Sequence, residues 1–225
     1  QDARFMVVAT PAGVTLAPEG GAHQSVATPM IGMGQPGLAY FEPAYADELE
    51  VIMRWGFSHM QADDGGSVYL RLSTRPMEQI ERKMDTKLGD EVIAGAYWLS
   101  KPKSKDAGAI VYTGVLAPEA QAAAALAKSG GPGVLAVTSP DRLYSDWRKK
   151  GAESHAAKLL SALNPGTKLV TLIDGHPATL SWLGGVIGQR VEALGVENFG
   201  QCGTVGDLYR EYGLDAAAIQ AAYKE

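Results

Sequence analysis

The runs Phe5-Met-Val-Val-Ala9 and Glu19-Gly-Gly-Ala-His-Gln-Ser25 carry the first reading of the fold. An uninterrupted apolar run of this length predicts a strand buried on both faces, as in a parallel sheet. The second run puts a histidine behind a glycine pair, in a stretch that otherwise reads as loop. Open α/β proteins place their ligands where a strand ends and the following loop carries polar groups. Outward from this pair, residues 37–42 read as the next strand. Residues 45–61 read as a helix, with Leu49, Ile52, Met53, Gly56, Phe57 and Met60 along one stripe. Asp63-Asp-Gly-Gly66 ends it and residues 68–72 return as a strand, giving a βαβ-type alternation.

From Thr74 to about Gly95 the pattern turns charged and loses strand periodicity, so residues 76–95 are expected to be a linker. Strands are then predicted at 96–100, 109–113, 134–138, 168–173 and 191–196. Helices are predicted at 118–128, 153–163, 179–189, 205–212 and 216–223, with alanine favouring close packing of the first onto a sheet. The predicted molecule is an α/β protein in two lobes: a mostly parallel sheet ending near Ser73, and a second sheet beginning near Ala96. No internal repeat of fixed period is present.

Composition excludes several classes. Hydrophobic residues at 46% and charged residues at 20% are those of a globular chain. A net charge of −5 with scattered basic residues gives no nucleic-acid footprint. The single cysteine, Cys202, rules out an internal disulfide and suits a reducing cytosol, so a cytoplasmic protein is expected. No apolar run is long enough to cross a bilayer. Four dispersed histidines and one cysteine show no metal-ligand spacing.

The stretch Pro11-Ala-Gly-Val-Thr-Leu-Ala-Pro-Glu-Gly-Gly-Ala-His-Gln-Ser25 resembles the Gly-Pro-Thr-His-Gln-Pro loop of transketolases and its equivalent in other thiamine-diphosphate enzymes. Phe41-Glu-Pro-Ala-Tyr-Ala-Asp-Glu-Leu49 resembles the turn that opens that superfamily's next helix, and Val68-Tyr-Leu-Arg-Leu-Ser-Thr-Arg75 its following strand. Val196-Glu-Asn-Phe-Gly-Gln-Cys-Gly203 and Asp207-Leu-Tyr-Arg-Glu-Tyr-Gly213 resemble segments of its carboxy-terminal domain. Within the superfamily the likeness is closest to the homodimeric type of pyruvate dehydrogenase. The resemblance implies that residues 1–75 are the carboxy-terminal part of a pyrimidine-binding-type lobe and 96–225 a transketolase carboxy-terminal-like domain. It also implies a homodimer that decarboxylates pyruvate with thiamine diphosphate and magnesium, acetylating the lipoyl carrier of a dihydrolipoyl acetyltransferase. The family's Gly-Asp-Gly motif, which holds the diphosphate and metal, is missing here. The chain is therefore expected to be a carboxy-terminal fragment, inactive alone. Alternatives are an oligomerisation or partner-docking module, or a transketolase acting on sugar phosphates.

His23 is the expected catalytic residue: a neutral imidazole can donate a hydrogen bond to a developing oxyanion or shuttle a proton. Glu19, Gln24 and Arg75 are the candidate substrate-binding residues; Glu19 either orients His23 or is a solvated loop acid, and the other reading of Gln24 is a structural hydrogen bond within the loop. Arg75 follows a strand where related sugar-phosphate enzymes place an anion-binding arginine; a surface ion pair is the other reading. Where those relatives carry a second histidine for substrate hydroxyls, this sequence has Pro11, which has neither a side-chain donor nor an N–H. That favours a donor such as pyruvate. His176 reads as a loop brace, and His59 and His155 as structural. Gly184-Gly-Val-Ile-Gly188 reads as a close-packing face inside a helix.

Overall fold

The structure, a computed structural model, describes residues 3–127, 131–198 and 200–224. Three short strands, β1 (Met6–Ala9), β2 (Leu38–Phe41) and β3 (Ser67–Arg71), form a parallel sheet in the order β1-β3-β2. In register, Val8, Leu70 and Phe41 lie side by side, as do Val7, Tyr69 and Tyr40 one step back. Alternate residues therefore share a face. Between β1 and β2 the chain runs through the histidine loop and a short helix, α1 (Thr28–Gly34). The longer α2 (Ala46–Gln61) then returns it to β3, burying Ile52 and Gly56.

The second sheet, in the order β4-β6-β5-β7-β8, begins where the sequence predicts, at β4 (Ala96–Ser100). β5 (Ala109–Thr113), β6 (Gly133–Val137), β7 (Lys168–Leu172) and β8 (Arg190–Leu194) run parallel, and β4 is antiparallel to β6. Its two faces bury alternate residues. Ile110, Tyr112, Val134, Ala136, Val170 and Leu172 pack under α4 (Ala117–Ala125) and α9 (Ala216–Lys224). Ala109, Val111, Leu135, Val137 and Leu169 pack under α5 (Pro140–Lys150), α6 (His155–Leu160) and α7 (Ala178–Ser181). The face under α4 is continuous with the first sheet: Val14, Phe41, Ile52, Val68 and Leu70 belong to the same apolar cluster. One core thus spans both sheets.

The edges of the first sheet differ. β2 is sealed by the second half of the chain: the Ser139 hydroxyl donates to the Tyr40 carbonyl (2.6 Å) and Asp141 accepts from the Tyr40 N–H (3.2 Å). The Glu42 N–H donates to the Thr138 carbonyl (2.8 Å). β1 lies at the open edge, with Phe5 and Val8 about half exposed.

Several elements depart from expectation. The 76–95 stretch is irregular only over its first half; α3 (Thr86–Ala94) follows, capped by Asp85, which accepts from the Leu88 N–H (2.9 Å). Gly95 ends it at φ +109°, a left-handed turn that favours glycine. α1 and α5 were not expected either. α1 is short and carries two glycines, while α5 is mostly charged and holds its apolar face to a few residues such as Leu143 and Trp147. The predicted 179–189 helix is instead α7 followed by a 3-10 turn over Trp182–Gly185. A side chain on Gly184 would meet Val191 Cγ2 at 2.6 Å, so this turn packs too closely onto the last strand to take one. α4 ends at Ala125; Lys128, the expected end, lies outside the described residues, as does Phe199. The two terminal helices are α8 (Val205–Glu211) and α9. Among the described residues no helix is long and apolar enough to cross a membrane.

Candidate functional site

Past the end of β1 the chain makes an excursion that begins and ends at one place. The Ser25 N–H donates to the Gly13 carbonyl (3.0 Å), and the Gly13 N–H donates to the Ser25 hydroxyl (3.0 Å). Between these points two 3-10 turns, Ala17–Glu19 and Gly21–His23, carry His23 to the rim of a cavity of about 240 Å³. The cavity sits at the carboxy-terminal ends of β1 and β3. Its lining includes Pro11, His23, Gln24, Thr28, Tyr69 and Arg71.

The four expected site residues separate into two groups. His23 is half exposed, and Glu19 lies beside it, with Oε2 3.7 Å from Nε2. Two such exposed groups interact weakly, by about 0–1 kcal/mol, so Glu19 can bias the imidazole's orientation without fixing it. Gln24 faces inward. Its amide donates to the Gln201 carbonyl (2.6 Å) and accepts from the Gly200 N–H (3.2 Å), tying the loop to the chain's last third. Arg75 does not line the cavity. It lies 2.7 Å from Glu119 and packs over the Tyr209 ring, 5.5 Å to its centroid.

Arg71, in the cavity wall, belongs to a buried charge network behind it. Arg71, 1% exposed, donates to Glu42 Oε1 (2.7 Å), the Thr28 hydroxyl (3.0 Å), the Ser25 carbonyl (2.9 Å) and the Asp174 carbonyl (2.6 Å). Burial opposes its charge, but Glu42, Tyr40 and Asp174 outweigh that and push its pKa up. Glu42 also accepts from the Tyr40 hydroxyl. The Asp174 carboxylate accepts from the Val14 N–H (2.9 Å) and the Tyr209 hydroxyl (3.0 Å). Burial raises its pKa to about 6, against the pull of Arg71 and those two donors. The expected site omitted Arg71, Glu42, Asp174 and Tyr209. A signal for Arg71 was present: a guanidinium inside the apolar run Val68-Tyr-Leu-Arg-Leu72 has to be paired if that strand is buried.

The remaining histidines make local contacts. The His176 N–H donates to the Val26 carbonyl (3.0 Å), and its Nδ1 accepts from the Ala178 N–H (3.2 Å). His59 stacks on Trp55 and accepts from the Gly66 N–H, with burial and then Arg142 lowering its pKa. His155 Nε2 lies 2.7 Å from the Ala96 carbonyl. A larger cleft, about 700 Å³, opens between the start of β2 and α5. Its charges balance one another: Lys150 pairs with Asp146 (2.7 Å) and Lys158 with Glu153 (4.0 Å). It offers no concentrated field of one sign.

No family model matches the chain. A chloroplastic transketolase from Craterostigma plantagineum is 24% identical over 227 residues, an alignment covering 100% of this chain and 40% of that protein. Among solved structures, a transketolase variant from Pichia stipitis superposes with a TM-score of 0.73 at 20% identity. It covers 96% of this chain and 29% of its own. A Leishmania mexicana transketolase gives 0.72 at 16% identity, with 96% and 29% covered. A split gene transketolase, described as an inactive beta4 tetramer, gives 0.67 at 18%, with 97% and 65% covered. The chain shares the fold of these structures and spans a minority of the first two.

Proposed function

We propose that the chain forms one wall of the active site of a thiamine-diphosphate-dependent enzyme that decarboxylates a small 2-keto acid, pyruvate being the simplest, and passes the acyl group to a lipoyl carrier. One observation carries the reading: His23 stands at the rim of a ring-sized cavity at the strand ends of a transketolase-like sheet. When bound, the cofactor supplies the electron sink for the carbanion left as carbon dioxide departs. His23 then donates a hydrogen bond to the oxygen on which charge develops, or moves a proton there. Tyr69 and Thr28 offer walls for a flat heteroaromatic ring. The residues fit that part of the cofactor alone. Among the described residues no cluster of three His, Cys, Asp or Glu could hold a metal, so in this reading the diphosphate and magnesium are held by another domain.

Two features favour a keto acid over a sugar phosphate. Pro11 lines the cavity without a donor for substrate hydroxyls, and Arg75 is committed to Glu119 rather than free for a phosphate. The second reading, a ketose-transferring enzyme acting on sugar phosphates, is favoured by the relatives, which are transketolases. In both readings we take the working enzyme to be a homodimer, with residues 1–75 and 96–225 as its two lobes. Assaying the full-length polypeptide for carbon dioxide release from pyruvate and for ketol transfer from a ketose phosphate separates them. Pyruvate turnover alone is expected; ketol transfer alone would reverse the assignment. The 225-residue chain by itself should bind thiamine diphosphate with magnesium weakly or not at all in titration calorimetry. Tight, saturable binding would mean that the diphosphate site lies within it.

A further inference from the structure

Both ends of the His23 excursion converge on a single residue from the other half of the chain. At the entry, the Val14 N–H donates to Asp174 Oδ1 (2.9 Å). At the exit, one Arg71 nitrogen donates both to the Ser25 carbonyl (2.9 Å) and to the Asp174 carbonyl (2.6 Å). The second carboxylate oxygen is held by the Tyr209 hydroxyl (3.0 Å) from α8. Gly13, at the base of the excursion, has φ +56°, and a Cβ there would fall 2.0 Å from Asp174 Oδ1. The loop has given up a side chain at the point where the carboxylate enters.

From this convergence we propose that Asp174 is a positioning residue for His23: braced by Tyr209, it fixes entry and exit of the loop and so sets how the imidazole faces the cavity. The proposal rests on the reading of that cavity as a site. It also gives residues 96–225, which hold no candidate catalytic group, a part in the site. An apolar residue would fill this buried position at lower cost than a carboxylate, because burial works against the charge. A carboxylate supplies two directed acceptors, which an apolar side chain does not.

The test is amide hydrogen exchange on the full chain without substrate or cofactor, with the His23 ring signals followed by NMR. In Asp174→Ala, exchange over residues 12–17, at the loop entry, should rise at least about tenfold while amides of β5 and β6 keep their protection, because the variant loses the carboxylate that holds Val14 and keeps the main-chain carbonyl that Arg71 holds at the exit. The His23 ring signals should move. Asp174→Asn keeps an acceptor toward Val14, so it should restore exchange to within about threefold of the parent and return the ring signals. General loosening would instead raise exchange throughout and gain nothing from the Asn rescue. Loop exchange unchanged in a folded Asp174→Ala, or an Asn variant as loose as the Ala one, would overturn the proposal. Should Asp174→Ala not fold, Tyr209→Phe removes the brace alone. It should raise loop exchange by about two- to fivefold, and parent-level protection there would overturn the proposal equally. Because exchange is read without turnover, this outcome is independent of whether pyruvate proves to be the donor.

Discussion

A guanidinium out of water costs several kcal/mol unless its donors find partners, and Arg71 makes four hydrogen bonds, one of them to a carboxylate, inside an apolar strand. Glu42, equally buried, is its charge partner. Removing one member of such a pair leaves the other charge stranded. Arg71→Met should therefore destabilise the chain by about 3–5 kcal/mol in urea unfolding. Arg75→Met, at a partly exposed pair, should cost about 1 kcal/mol or less. Equal losses would mean that the Arg71 network is less closed than its geometry implies. That His23, Gln24 and Glu19 lie on a loop beyond a strand was legible, because a glycine pair and polar side chains followed an apolar run. Asp174 and Tyr209 were not, since their role depends on a contact with Val14 across 160 positions of sequence.

A long apolar stripe was readable, and a short one set among charged side chains was not. α2 shows its stripe in the sequence, whereas α5 is a charged helix held by Pro140 in its first turn and by Asp141 against β2. That carboxylate is buried between the Ser139 hydroxyl, the Tyr40 N–H and the nearby Arg142, and burial lifts its pKa to about 6. A folded-state pKa above the ordinary 3.8 means that the native chain binds this proton more tightly than the unfolded one. The resulting contribution to stability is fully present below the ordinary carboxylate range and is lost as pH rises through about 6. Asp174 has the same sign. Stability should thus fall between about pH 4 and pH 6 from these two groups, and Asp141→Asn should flatten that slope while leaving the Asp174 part. An unchanged slope in thermal melts of the variant would show that Asp141 does not titrate there.

At the scale of the whole molecule, the sequence predicted two sheets and the starting residue of the second, but not that one apolar cluster joins them. Periodicity reports which face of a strand is buried and says nothing about which other element covers it. The joining places Thr138, Ser139 and Asp141 along β2, and Asp174 and residues 200–201 against the His23 loop, so the first half of the chain lines the cavity and the second half braces that lining. In the full-length polypeptide, His23→Ala should lower pyruvate turnover by about ten- to a thousandfold, equivalent to roughly 1.4–4 kcal/mol, because a donor that acts on charge developing in the reaction is lost. Its melting temperature should stay close to that of the parent, since a half-exposed side chain contributes little to folding. Measured side by side, reduced turnover with an unchanged melting temperature is the outcome expected here; unchanged turnover in a destabilised protein would contradict it and leave His23 a loop brace.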